Sequence, residues 1–111
     1  MKLGTSLYRE RDEWLKRLDD ALADFKAEGI KAAEKNREYR RLSARMMARL
    51  RADGMPIGAC ETLIKGDDSV STAKYEADCA EVLYSAAKEA INAAKRHLDV
   101  IREDIEKEYR A

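Results

Sequence analysis

The stretch that decides the fold is AKYEADCAEVLYSAAKEAINAAKRHLDVIREDI, residues 73–105. Its apolar residues alternate steps of four and three without a miss, which is a heptad repeat held for more than four heptads. Such a repeat predicts one long helix that packs along its whole length against other helices. The repeating positions, called the heptad stripe below, are Ala73, Ala77, Ala80, Tyr84, Ala87, Ile91, Ala94, Leu98, Ile101 and Ile105.

A second long helix is predicted over about residues 5–53, beginning at Thr5 or Ser6 because both residues cap helices well. Its apolar positions drift toward a repeat of 3.6 residues, as in a straight helix. Gly29 lies among them, where a glycine either bends a helix or lets another backbone approach closely. The small residues around it favour close approach. The apolar positions of this helix are Leu7, Trp14, Leu18, Leu22, Phe25, Ala32, Tyr39, Met46 and Leu50.

The connection between the long helices carries strong stop signals. Gly54 suits the left-handed position that ends a helix, and Pro56 cannot continue one. A short helix over about residues 57–65 and a last helix over about residues 68–109 follow. We therefore predict a single all-α domain over residues 1–111, a long antiparallel helical hairpin with a short connecting helix. The apolar residues of the short helix are Ala59, Leu63 and Ile64.

The apolar surface of the last helix is wider than one stripe, which indicates a further partner helix. Much of the 45% hydrophobic fraction is alanine, and alanine buries little area, so one hairpin builds only a thin core. We predict that the hairpin self-associates, as a homodimer, into a coiled-coil-like four-helix bundle. The second apolar set is Cys79, Leu83, Ala86, Ala90 and Val100. The residues expected at the oligomer contact are Ala80, Tyr84, Ala87, Ile91, Ala94, Leu98 and Ile101.

A basic segment is the one feature that suggests a ligand. Residues 31–51 contain eight basic and two acidic side chains, although the whole chain balances 22 basic residues against 22 acidic ones. The segment could bind nucleic acid, with Tyr39 stacking on a base, or an acidic protein partner. Alternatively it stays solvated, or pairs with the acidic residues of segment 67–90 across the hairpin. The candidate binding residues are Arg37, Arg40, Arg41, Arg45 and Arg49.

No motif in the chain predicts catalysis, a cofactor site or a metal site. His97 has no partner at a catalytic or metal-binding spacing, so we expect a surface histidine beside the heptad stripe. Cys60 and Cys79 have no CxxC spacing and are expected to be buried, small apolar residues. The absence of a membrane-length apolar run and of a signal-peptide pattern favours a cytoplasmic protein.

Several short segments resemble small, uncharacterised all-helical proteins encoded by phages and prophages of Gram-positive bacteria. The resemblance extends over about residues 30–110 and is one of spacing with a few identities. The segments that carry it are IKAAEKNREYR at 30–40, IKGD at 64–67, AEVLY at 80–84, EAINAAK at 89–95 and IEKEY at 105–109. It implies a phage accessory protein in the host cytosol, acting near nucleic acid or a nucleic-acid enzyme, and it assigns no active-site residue.

Together these patterns favour a non-enzymatic helical protein that binds a host or phage protein, such as a nucleic-acid enzyme or a defence component. Direct nucleic-acid binding through residues 31–51, in replication or recombination, is the alternative. A purely structural subunit is a third hypothesis.

Overall fold

The computed structural model describes residues 4–110, which form three helices and no strand. Helix α1 extends over Gly4–Ala52, α2 over Ile57–Gly66 and α3 over Asp68–Arg110. The all-α class is confirmed, and the bounds of all three helices agree with the prediction to within a residue. Thr5 and Ser6 lie inside α1, which is already helical at Gly4, so the prediction that they cap this helix is wrong.

The end of α1 is fixed by two backbone hydrogen bonds around a glycine. Gly54 has a φ of 84°, the left-handed region that only glycine adopts without strain. Its N–H donates to the carbonyl oxygen of Arg51 at 3.0 Å, and the Met55 N–H donates to that of Leu50 at 3.1 Å. This is the Schellman pattern, so the predicted stop at Gly54 is confirmed. Pro56 follows as the N-cap residue of the short α2.

The buried face of α2 consists of Cys60, which is fully buried, and Ile64. The other two apolar residues named for this helix, Ala59 and Leu63, lie on its exposed side, and Leu63 is 46% exposed. The backbone N–H of Cys60 donates to the carbonyl oxygen of Pro56, which orients this first turn.

A capped junction joins α2 to α3. The Asp67 carboxylate accepts a hydrogen bond from the Val70 N–H at 3.0 Å, and the Asp67 carbonyl accepts one from Ser71 at 2.8 Å. Asp67 thus occupies the N-cap position, where a carboxylate also interacts favourably with the helix dipole.

The described chain divides into two compact units, each built from segments of both long helices. Unit 2 comprises residues 28–84, and unit 1 comprises residues 1–27 and 85–111, of which 4–27 and 85–110 are described. In unit 2 the helix segments are antiparallel, since Lys35 contacts Glu76 and Gly29 lies against Tyr84. In unit 1 the order is also antiparallel, with Tyr8 beside Tyr109 and Trp14 beside His97.

The heptad stripe supplies the inner face of α3 in both units. In unit 2, Ala73, Ala77 and Ala80 are buried and Tyr84 is half-buried. In unit 1 the buried members are Ile91, Ala94 and Ile101, and the half-buried ones are Ala87, Leu98 and Ile105. Residues expected at an oligomer contact therefore contribute to the core of the single chain. This core is thin, because six of the twelve buried apolar residues described are alanines.

On α1, the prediction that Leu22 lies in the core is wrong. Leu22 is 46% exposed, and Ala21 takes the inward position. Either residue continues the helical spacing from Leu18 to Phe25, and the smaller side chain occupies the contact. The close neighbour of Gly29 is a side chain and not the backbone that was predicted: a Cβ at Gly29 would lie 3.0 Å from Cε1 of Tyr84. The α1 helix continues through Gly29, so the glycine provides space for the tyrosine ring.

Candidate functional site

Five exposed arginines of α1 form the candidate binding surface of unit 2. None of them forms an ion pair with any residue in the described part of the chain. Four of them follow one another at intervals of four residues, which places them along one side of the helix. These four are Arg37, Arg41, Arg45 and Arg49. The residues of the surface, called the arginine surface below, are Arg37, Arg40, Arg41, Arg45 and Arg49, all exposed.

Only one basic residue of segment 31–51 pairs with the acidic segment of α3 among the residues described. Lys35 Nζ lies 3.3 Å from Glu76 Oε2 and 3.5 Å from Glu38 Oε2. The hydrogen bond that Lys35 donates to Glu76 and the charge of Glu38 raise the pKa of Lys35 above its ordinary value of 10.5. The lysine is therefore charged at neutral pH, and both carboxylates lie against it. The arginines, by contrast, remain available to a ligand.

Two of the arginines line a groove between α1 and the start of α3. The groove has a volume of about 390 Å³. Arg41 and Arg45 line it from α1, and Ser69 and Thr72 line it from the first turns of α3. Guanidinium groups, hydroxyls and the positive end of a helix dipole all favour an anionic group. The complete lining is Glu38, Arg41, Leu42, Arg45, Ser69, Thr72, Ala73 and Glu76.

The groove also has an apolar component. Leu42, in the lining, is 36% exposed. On α3, Cys79 and Leu83 follow Thr72 and Glu76 at helical spacing and so lie on the same side of that helix. Cys79 is exposed, which contradicts the prediction that both cysteines are buried, and Leu83 is 49% exposed. Unit 2 thus presents apolar side chains beside its arginines.

A second depression lies on the outer side of α1, beside the first. It has a volume of about 310 Å³ and is lined by Glu34, Arg37, Glu38 and Arg41. Opposite charges therefore alternate on this part of the helix. A ligand that carries separate positive and negative groups therefore fits this surface better than a ligand that is negative along its whole length.

Tyr39 already has a cation beside its ring. Its side chain is half-buried, and Lys74 Nζ lies 5.5 Å from the centre of its ring. A hydrogen bond to Asp78 raises the pKa of Lys74, so this cation stays charged over the ring at neutral pH. Stacking of the Tyr39 ring on a base stays a prediction.

Unit 1 contains an aromatic stack that the sequence analysis did not find. The rings of Trp14 and His97 lie 3.9 Å apart at an angle of 9°, and the guanidinium carbon of Arg17 lies 4.4 Å from the centre of the Trp14 ring. His97 is exposed, as predicted. Spacing along one helix cannot reveal a partner on another helix, which is why this pair was missed.

Between residues 4 and 110, no three His, Cys, Asp or Glu side chains come together as a metal-binding group. Cys60 and Cys79 are both free thiols. None of the described helices is long and apolar enough to cross a membrane.

Comparisons with known protein families, with characterised proteins and with solved structures found no match to this chain.

Proposed function

We propose that this protein is a non-enzymatic interaction protein that binds a protein partner through the arginine surface of α1. The observation that carries the proposal is the exposure of five arginines without an ion pair in the described residues. Arginine is enriched at protein interfaces because its planar group binds carboxylates through two hydrogen bonds. The exposed Leu42 beside the row adds the apolar contact that such interfaces contain.

A protein partner is favoured over a nucleic acid by the acidic residues in the same surface. Glu38 and Glu76 line the groove together with Arg41 and Arg45. A phosphate backbone would place negative charge against these carboxylates, whereas a protein can place each charge separately. The resemblance to phage and prophage proteins adds a setting to the proposal. The partner would be a host or phage protein in the bacterial cytosol, such as a nucleic-acid enzyme or a defence component.

We also propose that two copies associate into a coiled-coil-like four-helix bundle. Support comes from apolar side chains that each unit leaves exposed. In unit 1, Leu15, Leu22 and Val100 are 42%, 46% and 56% exposed, and in unit 2, Val82 is 68% exposed. A core built largely of alanine gains little from burial, so covering these residues would stabilise each hairpin further.

Direct nucleic-acid binding is the second candidate, favoured by the row from Arg37 to Arg49. Twelve residues of helix place its ends about 18 Å apart, far enough to reach several phosphates. Such binding would weaken with salt at a log–log slope of about −0.9 per phosphate contacted on duplex DNA.

One experiment separates these proposals. Size-exclusion chromatography with light scattering gives the mass of the protein alone and with short single- and double-stranded DNA at low salt. We expect a dimer whose mass DNA does not change. A monomer at every concentration would refute the bundle. A salt-sensitive increase in mass with DNA, lost in the double variant Arg41→Glu/Arg45→Glu, would establish the second candidate instead.

The protein partner is tested by affinity capture from a host lysate with matched variants. Arg41→Glu/Arg45→Glu should lose a captured protein that the wild type retains. Arg9→Glu/Lys16→Glu makes the same change of charge on exposed residues of the same helix, in unit 1, and should retain it. Equal capture by all three forms would exclude the arginine surface as the binding site.

A further inference from the structure

We infer that the groove of unit 2 binds an acidic amphipathic helix, whose carboxylates contact Arg41 and Arg45 and whose apolar face covers Leu42. This inference rests on the proposed function and specifies the chemistry of the partner. The site is the groove of about 390 Å³ between α1 and the start of α3.

The charge distribution in the groove favours carboxylates at one end. Glu38 and Glu76 both lie within 3.5 Å of Lys35 Nζ, so their negative charge is partly neutralised. Arg41 and Arg45 have no such partner among residues 4–110. The uncompensated charge in the groove is therefore positive and lies on the two guanidinium groups.

Hydrogen-bond donors add to this charge. The hydroxyls of Ser69 and Thr72 line the groove opposite the two arginines, and both side chains belong to the first turns of α3. Guanidinium and hydroxyl donors together can satisfy both oxygens of a carboxylate.

The spacing of the arginines matches a helix. Arg37, Arg41, Arg45 and Arg49 recur every four residues, a rise of about 6 Å per step. Carboxylates at every fourth position of a second helix lying along α1 recur at the same distance. The guanidinium groups of Arg41 and Arg45, the two that line the groove, can then each face one carboxylate.

The apolar contacts specify an amphipathic helix. Leu42 and Leu83 are 36% and 49% exposed, and Ala73 lies between the helices in the groove lining. Two helices packed through alanines leave an open flank, and a third helix covers such a flank in a three-helix arrangement. A phosphate backbone offers no apolar side chains to cover Leu42.

The probe is a fluorescein-labelled peptide of three heptads with leucine at positions a and d and glutamate at e and b, so that a glutamate at e is followed four residues later by one at b. A second peptide has lysine in place of each glutamate. Binding to the full chain is measured by fluorescence anisotropy at low and physiological salt. We expect the glutamate peptide to bind and the lysine peptide not to bind.

A lysine outside the arginine surface provides the matched control. Lys31 and Arg41 are both exposed on α1 in unit 2, but they point about 80° apart around the helix, and only Arg41 lines the groove. We expect Arg41→Glu and Arg45→Glu each to weaken binding about tenfold or more, as expected for a lost charge-assisted hydrogen bond. Lys31→Glu reverses the same charge and should change the affinity less than about twofold, because its side of the helix is not contacted. Leu42→Ala, which leaves the charge unchanged, should weaken binding several-fold.

Three results would overturn the inference. Equal losses in Lys31→Glu and Arg41→Glu would mean that the overall charge attracts the peptide and that the groove is not its binding site. Equal binding of both peptides would mean that the carboxylates contribute nothing. Binding of a DNA duplex that depends on Arg41, with no binding of the glutamate peptide, would assign the groove to phosphate. Circular dichroism of each variant confirms that it is folded, and the lysate capture reports separately on the proposed function.

Discussion

Substituting Gly29 with alanine tests the closest contact between the helices of unit 2. In an open helix this change stabilises by about 1 kcal/mol, because alanine has the better helix propensity. Here the new Cβ would lie 3.0 Å from Cε1 and 3.4 Å from Cδ1 of Tyr84. Carbon atoms in favourable contact are about 3.5–4.0 Å apart, so the ring must move. Overpacking of this kind costs about 1–3 kcal/mol.

The two effects together predict that Gly29→Ala lowers the free energy of unfolding by about 1 kcal/mol. Urea denaturation followed by circular dichroism measures it. In a Tyr84→Leu background, which removes the ring, the same substitution should stabilise by about 1 kcal/mol. The sign of the effect therefore reverses, and the coupling energy is about 2 kcal/mol. Equal stabilisation by Gly29→Ala in both backgrounds would refute the reasoning.

Three further predictions concern polar groups of unit 2. Ser43→Ala should raise the free energy of unfolding by about 1 kcal/mol, because the buried Ser43 hydroxyl has no hydrogen-bond partner among the described residues. An unchanged midpoint of urea denaturation would contradict this prediction. Asp67→Ala removes the cap of α3 and should lower the free energy of unfolding by about 1 kcal/mol in the same assay. Asp67→Asn keeps a capping side chain and should retain most of the wild-type stability. The hydrogen bond with Glu76 raises the pKa of Lys35 above its ordinary value of 10.5. The ion pair therefore stabilises the folded state below pH 10.5, and this stabilisation is lost as the pH rises through the pKa that Lys35 has in the folded state. The difference in urea midpoint between wild type and Lys35→Gln should accordingly be constant near neutral pH and shrink above pH 10.5.

The helices were predictable because their signals are local. The heptad stripe depends only on the spacing of apolar residues, and all its members are buried or half-buried. The end of α1 depends on Gly54, whose conformation follows from the absence of a side chain. Where two residues satisfied the same spacing, the pattern was ambiguous. The prediction names Leu22, whereas Ala21 is the buried residue.

The candidate site was less predictable because charges act between helices. The sequence indicated which residues are arginines, but not whether the acidic residues of α3 reach them. In the structure, Lys35 pairs with Glu76, and the arginines form no ion pair with any residue described. Contacts between different helices also could not be predicted from spacing along one helix. Examples are the stack of Trp14 on His97 and the position of Lys74 over the ring of Tyr39.

The division into a continuous unit and a split unit has a consequence for synthesis on the ribosome. Residues 28–84 can pair as soon as they have emerged, since both of their helix segments belong to one uninterrupted piece of chain. The segment up to residue 27 emerges first, yet its partner in unit 1 begins only at residue 85. At about 5–20 residues per second, it waits for about 3–11 s with its apolar face unpaired. During that interval the first segment of the chain is open to chaperones and to a copy growing on the neighbouring ribosome.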